Sequence, residues 1–214
     1  MKIIKELYDY REMISNLVKK DLKVRYKGSV LGFLWTFLNP LLQLVVYTIV
    51  FSTIMRVDID KYYIYLFVGL IPWIFFASSI QVGAVSIMMN KDLIKKIYFP
   101  RIILPIVTTN SAFMNMFYSM IVVLLTVLVS GIGFSKYVLL LPIVMIVQYI
   151  LVLGMTFIFS ALNVFFRDLE YILNIIVMMW FYLTPIVYNI EMIPEKFRFW
   201  FYLNPMTGII NFYR

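Results

Sequence analysis

The sequence predicts an all-α integral membrane protein, and three observations predict it. Hydrophobic side chains make up 63% of the 214 residues and charged ones only 14%, where a soluble domain carries about 45–50% and about 25%. The 19 basic and 11 acidic residues are too few to cover a water-facing surface. Those charges also cluster, leaving five uncharged stretches of 20 residues or more. Finally, Cys and His are both absent, which removes disulfide scaffolds, most zinc and haem sites, thiol nucleophiles and histidine acid–base chemistry. The reading assigns no catalytic residue, metal or cofactor.

Residues 1–27 come first and form their own element. Ile3, Leu7, Tyr10, Ile14 and Leu17 recur at spacings of three and four, with charged residues between them, the pattern of an amphipathic helix. The segment lacks the short apolar core of a signal peptide. A basic helix of this kind lies along the membrane surface, held by buried apolar area and anionic lipid. Docking of a cytoplasmic partner is an equally open role.

Residues 28–214 form the membrane domain. Uncharged runs of 28 residues (Lys27 to Arg56), 29 (Lys61 to Lys91), 34 (Arg101 to Lys136), 30 (Lys136 to Arg167) and 20 (Glu170 to Glu191) follow in order. About 20 apolar residues cross the hydrocarbon, and helices satisfy their backbone groups internally. Five transmembrane helices are therefore expected. The 15 residues from Phe199 to Tyr213 contain Asn204, Pro205 and Gly208 and read as interfacial or re-entrant. Pro40, Pro72, Pro105, Pro142 and Pro185 fall in or beside these spans, so kinks are expected in most of them.

Basic residues favour the cytoplasmic side. Thirteen of the 19 fall on one side of this layout, eight of them before the first span, so the amino terminus is expected to be cytoplasmic. Five spans then leave the carboxyl end outside.

No Gly-x-x-x-x-Gly-Lys-Ser/Thr run exists to cradle ATP phosphates. No carboxylate lies inside an uncharged run, which argues against a proton relay or ion-coupled carrier. A separate energising subunit suits the cytoplasmic features better than a passive pore. Between spans two and three, Asn90 to Arg101 carries Leu93, Ile94 and Ile97 to pack on a partner, with Lys95 and Lys96 to pair with its acidic groups; a solvated loop explains the same charges. Arg167, Asp168 and Glu170 suit a gate that pairs when closed, or are ordinary interfacial charges. The run containing Thr108, Asn110, Ser111 and Asn115 is the best candidate for a polar pathway, against simple interhelical hydrogen bonding. Eleven aromatic residues between Trp180 and Tyr213, among them Trp180, Tyr182, Tyr188 and Trp200, form either an interfacial belt or a surface on which saccharide faces slide.

An ordered set of motifs goes further. Asp21-Leu22-Lys23-Val24-Arg25-Tyr26, Ser29 to Trp35, Asn39-Pro40-Leu41, the Lys91 to Arg101 insert, Asn163 to Asp168, Leu183-Thr184-Pro185-Ile186-Val187-Tyr188 and Leu203-Asn204-Pro205-Met206 occur in sequence. In that order they resemble the membrane subunit of type-2 ABC exporters, specifically permeases that export O-antigen, capsule or teichoic-acid polymers on lipid carriers. The resemblance implies a homodimer around a channel in the bacterial cytoplasmic membrane, two ATP-binding subunits beneath it, and a lipid-linked glycan as cargo, without nucleic acid. It implies that the Asn90 to Arg101 insert, with Asp92, Leu93, Lys95, Lys96 and Tyr98, couples to the ATPase, and that Glu191 to Phe212 shapes the exit. Family members continue into a sixth span, so a carboxyl-terminal truncation is expected here. The competing readings are a type-2 exporter of drugs or small lipids and, from another class, a membrane-embedded glycan transferase using Asp58, Asp60, Asp168, Glu170, Glu191 or Glu195.

Overall fold

The computed structural model describes residues 2–25, 27–54, 59, 61–131, 133 and 135–214. Arg56, Asp58, Asp60 and Tyr26 lie outside the described residues, as do the side chains of Ile3 and Arg25. Ten α-helices are present among the described residues: α1 (Lys2–Asp9), α2 (Arg11–Arg25), α3 (Trp35–Thr48), α4 (Tyr62–Met89), α5 (Lys91–Lys96), α6 (Ile103–Val129), α7 (Leu141–Phe165), α8 (Leu169–Tyr182), α9 (Glu195–Tyr202) and α10 (Pro205–Tyr213). The chain divides into two compact units. The first comprises Met1–Phe33, Phe76–Met114 and Tyr149–Ile175; the second comprises Leu34–Phe75, Asn115–Gln148 and Ile176–Arg214.

Four helical stretches are long and apolar enough to cross a membrane: Gly32–Ser52, Tyr62–Lys96, Ile103–Val129 and Lys136–Phe165. They occupy the first four uncharged runs. The fifth run departs from expectation, because its helix α8 has only 14 residues, about 21 Å at 1.5 Å per residue against roughly 30 Å of hydrocarbon. Pro185 is the reason: it cannot donate a helical N–H, and it biases Thr184 away from helical backbone. The Thr184 hydroxyl turns back to the Trp180 carbonyl at 2.8 Å, and the chain runs on without regular structure to Asn189. The stretch read as re-entrant holds two short helices, α9 and α10, with Pro205 in the first turn of the second.

The five prolines meet three fates. Pro40 and Pro72 sit inside α3 and α4. Pro105 and Pro142 fall in the first turns of α6 and α7, where a missing N–H costs nothing, and Pro185 follows the end of α8. Interior prolines, the positions that kink a helix, are thus confined to α3 and α4. Inside α3, Pro40 cannot bond the Thr36 carbonyl four residues back, and the Ser119 hydroxyl donates to that carbonyl at 3.4 Å. In the same unit, the wholly buried Gln148 donates to the Pro72 carbonyl at 2.8 Å and accepts from the Tyr213 hydroxyl at 2.9 Å.

The first unit is built around a close helix pair and an apolar cluster. A Cβ on Gly83 would lie 2.2 Å from Thr156 Cγ2, so only glycine lets α4 and α7 approach this far. The Thr156 hydroxyl bonds back to Val152 at 2.8 Å within its own helix. The cluster consists of buried Phe99, Ile103, Leu104 and Val107, onto which Leu7, Tyr10, Met13, Ile14, Leu17 and Val18 pack. The apolar stripe of the amino-terminal helix therefore rests on protein. α1 and α2 are nearly continuous, since Tyr10 N–H reaches Glu6 at 3.1 Å and Ile14 N–H reaches Tyr10 at 3.0 Å.

Candidate functional site

The insert between the second and third spans folds as α5 with an extended tail. Asp92 lies in its first turn and Lys95 and Lys96 in its last, each where the helix dipole favours its sign. Leu93 and Ile94, both partly buried, pack on the buried cluster with the amino-terminal helix and hold the insert in place. Asp92, Lys95, Lys96, Ile97 and Tyr98 are exposed, and Tyr98 is 95% accessible. The outcome is a charged and aromatic knob whose underside is pinned to α2 and α6.

Arg167, Asp168 and Glu170 are all exposed at the corner between α7 and α8. The corner is tight: Leu169 N–H reaches Phe166 at 3.1 Å and Ile172 N–H reaches Asp168 at 3.2 Å. Glu170 occupies the first turn of α8, a favourable place for a carboxylate. A cavity of about 610 Å³ opens here, lined by Leu162, Phe165, Phe166, Arg167, Asp168 and Ile172.

The candidate pathway residues divide between the two units. In the first, the Thr108 hydroxyl bonds the Pro105 carbonyl at 3.0 Å, and Thr108 lines a cavity of about 310 Å³ with Lys20, Asp21, Ser86 and Asn90. Asn110 accepts from the Tyr149 hydroxyl, and Ser111 is fully buried. Asn110 is thus paired within the protein, while the buried Ser111 hydroxyl has no hydrogen-bond partner among the described residues. In the second unit, both polar atoms of the Asn115 side chain are buried without a hydrogen-bond partner among the described residues.

The aromatic region of the second unit is organised by Asn204, which the sequence marks as a helix interruption and as part of the motif Leu203 to Met206. Asn204 uses its whole hydrogen-bonding capacity. Its Oδ1 accepts from Trp180 Nε1 at 2.9 Å and from Met206 N–H at 3.0 Å, capping α10, while its Nδ2 donates to the Leu183 carbonyl at 3.1 Å and to Thr184 Oγ1 at 2.9 Å. Trp180 and Trp200 line a cavity of about 470 Å³ with Met179, Leu183 and Phe201. Tyr182 and Trp200 are mostly exposed, and the Tyr188 hydroxyl donates to the Tyr182 carbonyl at 2.6 Å. Two motifs, Leu183 to Tyr188 and Leu203 to Met206, are thus tied by one amide.

Sequence reasoning also missed Tyr62, Tyr65 and Arg214. Tyr62 and Tyr65 donate to the Val187 and Tyr188 carbonyls at 2.7 Å and 2.9 Å. Arg214 donates to the Pro185 and Ile186 carbonyls, each at 2.7 Å. Arg214 is exposed as a whole. Among the described residues no group of three or more His, Cys, Asp or Glu is placed to hold a metal.

Four helical stretches long and apolar enough to cross a membrane, with an exposed charged knob between two of them, define a multi-pass membrane protein. Residues 12–214 match the ABC-2 type transporter family, and the chain is a member of that family. It is 38% identical to the O-antigen export system permease protein RfbA of Myxococcus xanthus over 100% of this chain and 83% of that protein. To the RfbA permease of Klebsiella pneumoniae it is 40% identical, over 97% and 80% of the two chains. The polysialic acid transport protein KpsM of Escherichia coli is 23% identical over 94% of this chain and 79% of its own length.

Proposed function

We propose that the chain is the permease subunit of an ABC exporter that moves a lipid-linked polysaccharide across the bacterial cytoplasmic membrane, driven by a separate ATP-hydrolysing subunit. The observation that carries this is similarity along the whole chain, at 38–40% identity, to proteins described as O-antigen export permeases. The absence of a phosphate-binding loop from the sequence is in keeping with a motor on another polypeptide.

In this reading residues 1–27 are the cytoplasmic interfacial element, and 28–214 are the transmembrane domain, paired with a second copy around the channel. The chain crosses five times, α8 and the irregular stretch after it making the fifth crossing. Asp92, Lys95, Lys96 and Tyr98 meet the two ATPase subunits, with Leu93 fixing the knob that presents them. Arg167, Asp168 and Glu170 gate the cytoplasmic mouth. Thr108, Asn110, Ser111 and Asn115 border the path on α6, Asn110 and Ser111 by shaping the helix rather than by touching cargo. Trp180, Tyr182, Tyr188 and Trp200 offer ring faces along which a saccharide slides.

The test is reconstitution with the ATPase partner in vesicles. ATP-dependent movement of a lipid-linked glycan is the expected outcome. Transport of small amphiphiles without glycan transport would replace this reading with the drug or small-lipid exporter, and turnover of a glycan without ATP would replace it with a transferase.

A further inference from the structure

The stretch that follows α8 poses a physical problem. Thr184, Pro185, Ile186 and Val187 are buried, and their backbone is neither helix nor strand. A buried carbonyl without a donor costs about 1–3 kcal/mol, and irregular backbone is tolerated at membrane depth only where protein or water covers it. Here four consecutive carbonyls each receive a side chain: Arg214 Nη1 donates to Pro185 and Nη2 to Ile186, Tyr62 donates to Val187, and Tyr65 donates to Tyr188, at distances of 2.7 to 2.9 Å. The donors brace one another. The Arg214 guanidinium lies 3.4 Å from the centre of the Tyr65 ring and also donates to its hydroxyl.

Sequence spacing makes the arrangement possible. Tyr62, Tyr65 and Gly69 are three and seven residues apart and share one face of α4. A Cβ on Gly69 would come within 3.1 Å of Arg214 Nη2, so the glycine leaves room for the guanidinium. The donor has to be arginine, because its flat fork spans two neighbouring carbonyls while lysine presents a single point charge. The helix that begins at Tyr62 ends at Met89, and Asn90 alone separates it from the charged knob at Lys91–Lys96.

We infer that Tyr62, Tyr65 and Arg214 are positioning residues for transport: they lock the link Pro185–Tyr188 onto the start of α4, so that movement of α4 is delivered to α9 and α10 instead of being absorbed by a slack link. This rests on the permease reading above, and two measurements separate the failure of one from the failure of the other. The first is the amount of glycan exported per ATP hydrolysed by the reconstituted permease–ATPase complex. Arg214→Lys keeps the charge and loses the fork, and should hydrolyse ATP at close to the normal rate while exporting about tenfold less glycan per ATP. Tyr65→Phe removes one donor and should lose about threefold. In Arg214→Ala, millimolar methylguanidinium should restore part of the coupling and methylammonium none. The second needs no transport: the chain has no cysteine, so spin labels at Leu183→Cys and Phe199→Cys attach cleanly. Electron–electron resonance should give one narrow distance in the otherwise unaltered protein and a broad spread in Arg214→Lys.

Normal export per ATP in Arg214→Lys overturns the inference, as does a narrow label distance in that variant. An export loss matched by equal losses of ATP hydrolysis and of assembled complex also overturns it, since that is a folding defect alone. If the unaltered complex moves no glycan, the function proposed above fails, and the label distances still decide whether Arg214 holds the link.

Discussion

The amino-terminal helices and the irregular link Pro185–Tyr188 are both additions to long helices, and they are held by opposite means. In the first unit Leu7, Ile14 and Leu17 rest on Phe99, Ile103 and Leu104, a seat made of apolar contact. In the second unit Pro185–Tyr188 and Leu203–Pro205 are held by donors from Asn204, Tyr62, Tyr65 and Arg214 aimed mainly at backbone carbonyls. Apolar contact is non-directional and scales with buried area, so the seat tolerates many residues of similar volume. A carbonyl left without its donor has no substitute in lipid, so the polar frame tolerates almost none. The difference sets where each region can vary without loss of stability: the knob on the apolar seat can change its exposed face, and the frame cannot.

The largest expected effect comes from violating the apolar seat. Leu104→Asp places an unpaired carboxylate at a site 3% exposed, a cost of several kcal/mol; the protein should fail to accumulate in membranes, or present residues 1–25 to protease. A fully accumulated, protease-resistant variant would mean that the seat is looser than described. Next in size, Asn204→Ala strips four hydrogen bonds at once and should cost about 2–4 kcal/mol, read as a lower midpoint of thermal unfolding in detergent. Asn204→Asp, which keeps the acceptor and loses the donors, should fall between. A smaller loss, about 1–3 kcal/mol, is expected for Gly83→Ala, whose new methyl meets Thr156; the double variant with Thr156→Ser, which removes that contact, should recover most of the unfolding midpoint. The smallest effect on stability, within about 0.5 kcal/mol, belongs to Lys95→Glu with Lys96→Glu. The same pair should nevertheless reduce co-purification of an ATPase partner several-fold, and unchanged recovery would remove these lysines from the docking surface.

How much of this was legible beforehand follows the same division. Spans could be counted from charge, since a charged side chain at the bilayer centre is costly wherever it occurs, and four of the five runs carry helices long enough to cross. The fifth run carries a shorter helix than its length suggests, because Pro185 acts as a stop rather than a kink. The face of the amino-terminal helix was readable, but not what it touches, since lipid and a protein cluster select the same apolar stripe. The packing of Leu93 on that cluster is illegible for a related reason: in a six-residue helix, period alone does not say which side is covered. Asn204 before Pro205 carries a readable capping signal, side-chain acceptor then proline, though not its reach to Trp180. Tyr62, Tyr65 and Arg214 left no signal. Their acceptors are main-chain carbonyls more than 120 residues from the tyrosines, and a carbonyl has no letter in a sequence.

The proline in α3 leaves a different trace. Because Pro40 cannot occupy the Thr36 carbonyl, Ser119 on α6 donates there, and the two helices are pinned in a single register by one hydroxyl. Among descendants of this chain, loss of that hydroxyl should be accepted mainly after the proline has gone, and return of the proline mainly while the hydroxyl remains. Two positions 79 apart in the sequence are thereby bound to an order of mutation, a historical contingency written by one absent hydrogen.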